Sequence, residues 1–166
     1  FGFARQSGGF VTIESAIGEG STISVYLPRS HVSLLGKKTG AHAQDMPSGQ
    51  GELVLAVEDD AAVLGITRKR LIALGYNVIE ARTAAEAITQ MKTDEPISLV
   101  FSDVRMPGEM SGYDLARWVC ENRPEVPILL TSGYNAAKAN GHENFKLLTK
   151  PYKMTDLAAS LRKALA

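Results

Sequence analysis

The sequence predicts a doubly wound parallel α/β domain over residues 52–166, and three observations carry that expectation. From Glu52 onward, short apolar runs alternate with helical patterns, strand then helix, repeatedly. The runs are bounded by turn residues, as strands buried on both faces are. Leu99-Val100-Phe101-Ser102 closes on a single acid, Asp103, and Pro107-Gly108 then turns the chain. In an open parallel sheet, ligands bind in the crevice beyond the strand carboxyl ends. Asp103 is therefore placed as a working group; the plain alternative is an aspartate that starts a turn.

In order, Phe10–Ser15 and Ser21–Leu27 alternate with the strand period around Ala16-Ile17-Gly18-Glu19-Gly20. They predict a β-hairpin with one apolar face, which must pack on something because an isolated hairpin is marginal in water. Residues 2–9 look like the end of a helix stopped by glycine. Residues 29–51, rich in Gly, Ser, His and Lys without periodicity, predict an interdomain linker. Val32, Leu34 and Leu35 form an apolar knot within it. His31 and His42 lack metal-ligand spacing and are expected to be solvated.

The β/α repeat then begins. Leu53–Val57 is expected as a strand, Ala61–Leu74 as a helix ended by Gly75, and Asn77–Glu80 as a strand. Thr83 caps a helix over Ala84–Met91, with Glu86 completing a capping box. Ile97–Ser102 is the central strand and Gly112–Asn122 a helix. Val126–Thr131 is a strand, Asn135–Ala139 a short weak helix, Lys146–Leu148 a strand and Met154–Leu165 an amphipathic closing helix. Five strands and five helices with right-handed crossovers suit the flavodoxin-like order 2-1-3-4-5.

Composition sets bounds. The 166 residues are 45% hydrophobic and 22% charged, which is ordinary for a globular protein. Lysine plus arginine equals aspartate plus glutamate, 18 against 18, so no net field recruits nucleic acid or an anionic membrane. The single Cys120 excludes an internal disulfide and suits a reducing compartment. No apolar run approaches the roughly 18 residues of a membrane helix, and no signal peptide opens the chain, so a cytoplasmic location without membrane contact is expected. Phe1 begins inside what reads as a domain, so a piece of a longer protein is expected.

Four strand ends carry chemistry. Glu58-Asp59-Asp60 ends the first strand of the repeat, Asp103 the third and Thr131-Ser132-Gly133 the fourth; the fifth leads into Lys150-Pro151. Carboxylates gathered this closely repel unless a cation sits among them. Oxygen ligands with room for water and phosphate suit Mg²⁺. An aspartate beside that metal can act as the nucleophile of phosphoryl transfer, with Lys150 and Thr131 meeting the developing charge. Taken singly, each has a plain alternative: the acids as a helix-start cluster, Thr131 as an N-cap and Lys150 as a solvated lysine. Tyr113 and Trp118 are expected to pack rather than stack on bases, Met106 to pack in its loop, and Cys120 to be a small buried hydrophobe or a surface bystander.

Two resemblances follow. The motifs "LVLAVEDD", "VFSDVRMPGEMSGYDLA", "ILLTSGY" and "LLTKPYKMTDLAASLRKAL" make residues 52–166 similar to the receiver domain of two-component response regulators, a CheY-like fold. The resemblance implies Asp103 as phospho-acceptor and Glu58 and Asp59 as the acidic pair on Mg²⁺. It implies the backbone carbonyl of Arg105 as a further ligand, Thr131 as the switch hydroxyl and Lys150 as the phosphate-contacting lysine. It also implies a cis Lys150–Pro151 bond and a tuning role for Arg105 and Gly133, and leaves Asp60 beside the metal or at the helix start. The resemblance departs at Leu147, where the family often has Tyr or Phe. A leucine has no ring to rotate, which leaves the output to a different rearrangement or a small one.

The block "GFARQSGGFVTIESAIGEGSTISVYLPR" resembles the C-terminal end of the ATP-binding domain of sensor histidine kinases. Residues 1–28 would be an incomplete tail of that α+β domain. The residues that hold Mg-ATP and the phosphorylatable histidine are not in it, and Gly18 and Gly20 are expected as turn residues rather than ATP contacts.

The expected function is phosphorelay: transfer from a phosphohistidine to Asp103 within a hybrid sensor histidine kinase. This stretch would contribute only receiver self-phosphorylation and autodephosphorylation. Partners would be the kinase's dimerisation and phosphotransfer domain or a histidine phosphotransfer protein, with no nucleic acid. An aspartate-dependent phosphatase would need a second acid where Arg105 stands, and Arg105 cannot donate a proton. The remaining alternative is a receiver-like interaction module that is not phosphorylated and regulates the kinase.

Overall fold

The computed structural model describes residues 4–5, 7–29, 48–93, 95–133 and 145–166. The chain divides into two compact units, Phe1–Ala41 and His42–Ala166.

The first unit is the expected hairpin. Strands β1 (Phe10–Ala16) and β2 (Gly20–Tyr26) pair antiparallel, Phe10 opposite Tyr26 and Ile13 opposite Ile23. Period-two alternation puts Val11, Ile13, Ile23 and Val25 on one face. Phe10 and Tyr26 stack on the other, ring centroids 4.5 Å apart. Gly18 and Gly20 take φ of 83° and 88°, which an L side chain adopts only with strain; Gly18 lies in the turn and Gly20 opens β2. Upstream, Ala4 and Arg5 are helical, and Gly8 and Gly9 donate backbone N–H bonds to the carbonyls of Arg5 and Ala4.

The second unit is the doubly wound sheet. Its elements are β3 (Leu53–Val57), α1 (Ala61–Ala73), β4 (Asn77–Ala81), α2 (Ala84–Met91), β5 (Ile97–Asp103), α3 (Gly112–Asn122), β6 (Ile128–Ser132), β7 (Lys146–Thr149) and α4 (Met154–Leu165). The five strands are parallel in the order β4-β3-β5-β6-β7, which is 2-1-3-4-5 within the unit. Leu55, Val57, Val100 and Leu130 face a core closed by Ala87 and Met91 of α2 and Leu115 and Val119 of α3. Their alternate neighbours Val54, Ala56, Leu99, Phe101 and Leu129 face Leu64 and Leu71 of α1 and Leu157 and Leu161 of α4. Covering both faces is why the strands read as unbroken apolar runs.

Several boundaries move for local reasons. The expected strand at Val126 begins at Ile128, because the Val126 N–H bonds to the Arg123 carbonyl (2.9 Å) and Pro127 has no N–H. Leu74 caps α1 rather than extending it. Thr83 Oγ1 accepts from the Glu86 N–H (3.1 Å), but the Glu86 carboxylate reaches the N–H of Arg82, one residue before the partner a capping box uses. Residues 49 and 51, linker by composition, donate N–H bonds to the carbonyls of Leu74 (2.7 Å) and Gly75 (3.0 Å). The helix expected at Asn135–Ala139 lies outside the described residues, as do His31, Val32, Leu34, Leu35 and His42.

Candidate functional site

The strand carboxyl ends of the second unit converge, and the chain holds each by main-chain bonds. At the end of β3, the Glu58 N–H donates to the Ala81 carbonyl (3.1 Å). Asp60 Oδ1 caps α1, accepting from the N–H groups of Ala62 (2.8 Å) and Val63 (3.1 Å). Asp60 is thus the helix-start residue of its two expected roles. Its neighbours are left for the crevice: carboxylate oxygens of Glu58, Asp59 and Asp103 all lie within 4.8 Å of one another.

Asp103 ends β5 in register with Thr131 of β6. The Val104 N–H bonds to the Thr131 carbonyl (2.9 Å), and the Arg105 N–H approaches Asp103 Oδ1 at 3.4 Å. Behind Asp103 sits Gly112, the first residue of α3. A Cβ there would lie 2.0 Å from the Asp103 carbonyl oxygen, so only glycine lets the helix start this close to the strand end. Sequence reading missed that role; its signal was a glycine opening the expected helix, a residue type with poor helix propensity.

Lys150 completes the group. Its N–H bonds to the Ser132 carbonyl (2.7 Å), and the Lys150–Pro151 bond is cis, as the resemblance implied. Its Nζ donates to Glu58 Oε2 (2.8 Å) and Asp103 Oδ2 (2.9 Å). Tyr152 follows, edge-on to Phe101 of β5 with centroids 6.3 Å apart, and the Arg70 guanidinium of α1 lies 5.5 Å over its ring. Neither Arg70 nor Tyr152 stood out in the sequence, since a cation–π pair across distant elements leaves no local pattern.

The electrostatics follow from burial. Burial raises the pKa of Glu58, and the Lys150 hydrogen bond and charge only partly offset it. For Lys150, burial alone would lower the pKa, but the hydrogen bonds and charges of Glu58 and Asp103 together raise it. Thr131 is buried, and among the described residues its Oγ1 has no hydrogen-bond partner, an uncommon state for a buried hydroxyl.

Other candidates separate. Met106, Tyr113, Trp118 and Leu147 pack, partly buried, against the core on the α2–α3 face. Cys120 is exposed, the surface-bystander reading. Gly133 follows β6 and is exposed.

The fold and this acid–lysine crevice define a signalling receiver: the chain belongs to the response regulator receiver domain family, whose model matches residues 54–162. Sensor kinase CckA of Brucella abortus is 31% identical over 99% of the chain, which spans only 18% of CckA. Response regulator receiver protein CpdR of Brucella abortus is 33% identical over 68% of the chain and 95% of its own length. Response regulator protein TrrA of Thermotoga maritima, solved in complex with Mg(2+)-BeF, shares the fold with a TM-score of 0.63 at 22% identity, covering 69% of this chain and 99% of that one. Family membership makes the second unit a receiver of phosphorelay signalling. No helix among the described residues is long and apolar enough to cross a membrane.

Proposed function

We propose that Asp103 accepts a phosphoryl group from a phosphohistidine in a Mg²⁺-dependent reaction. The observation that carries this reading is Lys150 Nζ held between Glu58 and Asp103 at a strand end. A carboxylate oxygen of Asp103 would form the bond to phosphorus while the bond to the imidazole nitrogen breaks. Glu58, Asp59 and Asp103, with the main-chain carbonyl of Arg105, would hold Mg²⁺, and the all-oxygen donor set fits that ion. When bound, the ion would neutralise charge on the phosphoryl oxygens. Lys150 would contact a phosphoryl oxygen, and the Thr131 hydroxyl, without a partner among the described residues, would donate to another.

The wider assignment rests on the CckA alignment, which runs through both units of the chain. In that reading residues 1–28 are the tail of a histidine-kinase ATP-binding domain, 29–51 a linker and 52–166 the receiver of a cytoplasmic hybrid kinase. Its partners would be the kinase's own phosphotransfer domain or a histidine phosphotransfer protein.

Intact-mass spectrometry after incubation with acetyl phosphate tests the core of this. A single Mg²⁺-dependent phosphoryl adduct on the wild type, missing from Asp103→Ala, is the expected result. No adduct under any condition would favour an unphosphorylated interaction module.

A further inference from the structure

We propose that Arg82 is a positioning residue for the acidic loop and thereby sets how tightly the crevice holds Mg²⁺; this rests on the reading of Glu58, Asp59 and Asp103 as the metal site. Arg82 stands just past β4, exposed, in the connection to α2. Its guanidinium Nη2 donates to the main-chain carbonyl of Asp59 at 3.0 Å. Its own backbone N–H is fixed by Glu86 Oε2 at 2.7 Å, so the arginine springs from a braced point. The neighbouring Glu58 N–H to Ala81 carbonyl bond makes a second tie between the same two segments.

Among the described residues Arg82 makes no ion pair, although two acids of the cluster lie on the loop it touches. One guanidinium nitrogen instead donates to a carbonyl. That bond fixes the peptide between Asp59 and Asp60, and so the backbone from which the Asp59 carboxylate projects. Asp60 is already committed to capping α1. The loop is therefore held from both sides, by the α1 N-terminus and by Arg82.

A brace and a plain surface charge act on Mg²⁺ binding with opposite sign. Removing a cation near a Mg²⁺ site tightens binding if charge alone matters, because less repulsion opposes the ion. Removing a brace weakens binding; a lost hydrogen-bond partner of a ligating side chain typically costs about tenfold or more, and a brace on the ligand's own main chain is expected at the low end of that range. Arg82→Lys keeps the charge but loses the planar guanidinium that sets Nη2 against the Asp59 carbonyl. It should weaken binding in the same direction as Arg82→Met.

The experiment is a calorimetric Mg²⁺ titration of the full chain at constant ionic strength. The proteins are wild type, Arg82→Met, Arg82→Lys and the double variant Glu58→Gln/Asp59→Asn. Amide exchange at Glu58 and Asp60 is followed in the metal-free proteins. Weaker Mg²⁺ binding by about tenfold in Arg82→Met, with faster exchange at those amides and unchanged circular dichroism, is the expected result. Equal or tighter binding in Arg82→Met overturns the proposal. If wild type binds no Mg²⁺, or the double variant binds as well as wild type, the metal-site reading fails instead. The amide exchange then decides the brace by itself, and unchanged exchange overturns it.

Discussion

The Lys150 ammonium bridges two acids from different strands, 2.8 Å from Glu58 Oε2 and 2.9 Å from Asp103 Oδ2. Glu58 is nearly closed off from water, so removing the lysine strands a buried charge. Lys150→Met should destabilise the fold by roughly 2–3 kcal/mol near neutral pH. Glu58 already has a raised pKa, and without the lysine it takes up a proton more readily. The gap between variant and wild type should therefore shrink as the pH falls through the Glu58 titration. In the wild type the raised Lys150 pKa means the folded form holds that proton more tightly. That contribution is present below the ordinary lysine range and is lost as the pH rises through the folded value. Urea denaturation between pH 4 and pH 11 reads both limbs, and a gap independent of pH would contradict the bridge.

Thr131 carries a buried hydroxyl without a partner among the described residues. Thr131→Val keeps the shape and removes it, so stability should stay level or rise by about 1 kcal/mol. The structural response to phosphorylation should shrink, read as smaller amide chemical-shift changes on adding acetyl phosphate and Mg²⁺. A clear loss of stability would mean that the hydroxyl is partnered in solution.

Gly112 sets two principles against each other. Helix propensity alone says that Gly112→Ala stabilises by about 1 kcal/mol. The Cβ, however, would meet backbone 2.0 Å away at the Asp103 carbonyl and 2.8 Å away at the Val104 Cα, and neither can swing aside. Overpacking should win, with a net loss of about 1–3 kcal/mol and slower phosphorylation. Thermal melts settle the sign.

Asp114 and Ser111 cap α3 reciprocally. The Ser111 N–H donates to Asp114 Oδ2 at 2.8 Å and the Asp114 N–H to Ser111 Oγ at 3.3 Å. The Ser111 side-chain bond, then its backbone bond, holds the Asp114 carboxyl below the usual aspartate range. A lowered pKa contributes stability that is present above the unfolded value and lost as the pH falls through the folded one. Asp114→Asn should flatten the acid limb of stability below about pH 4. Ser111→Ala should cost about 1 kcal/mol at neutral pH.

What was legible in the sequence follows from range. Strand and helix placement rests on neighbours one to four residues apart, so the alternating runs of β3 to β7 could be read directly. The Glu58, Asp103 and Lys150 group was legible because the parallel topology sends every strand end to one side. Arg82, Gly112 and the Arg70–Tyr152 pair were not, because their meaning lies in contacts between segments that no periodicity links. The start of β6 was misjudged for a similar reason: Val126 is apolar like a strand residue, but its N–H is spent in a turn.

Glu52, just before β3, lies 3.9 Å from Arg162 in α4, and residues 49 and 51 clasp the turn after α1. These attachments gather at the amino-terminal edge of the sheet, while the acids and Lys150 occupy the opposite edge. Five residues of β3 at about 3.3 Å each separate the two by roughly 16 Å. The anchoring residues and the acids thus share no loop among the described residues. Among the described residues the two ends of β3 thus do separate work, one anchoring the chain to the turn after α1 and to α4, the other carrying the acids.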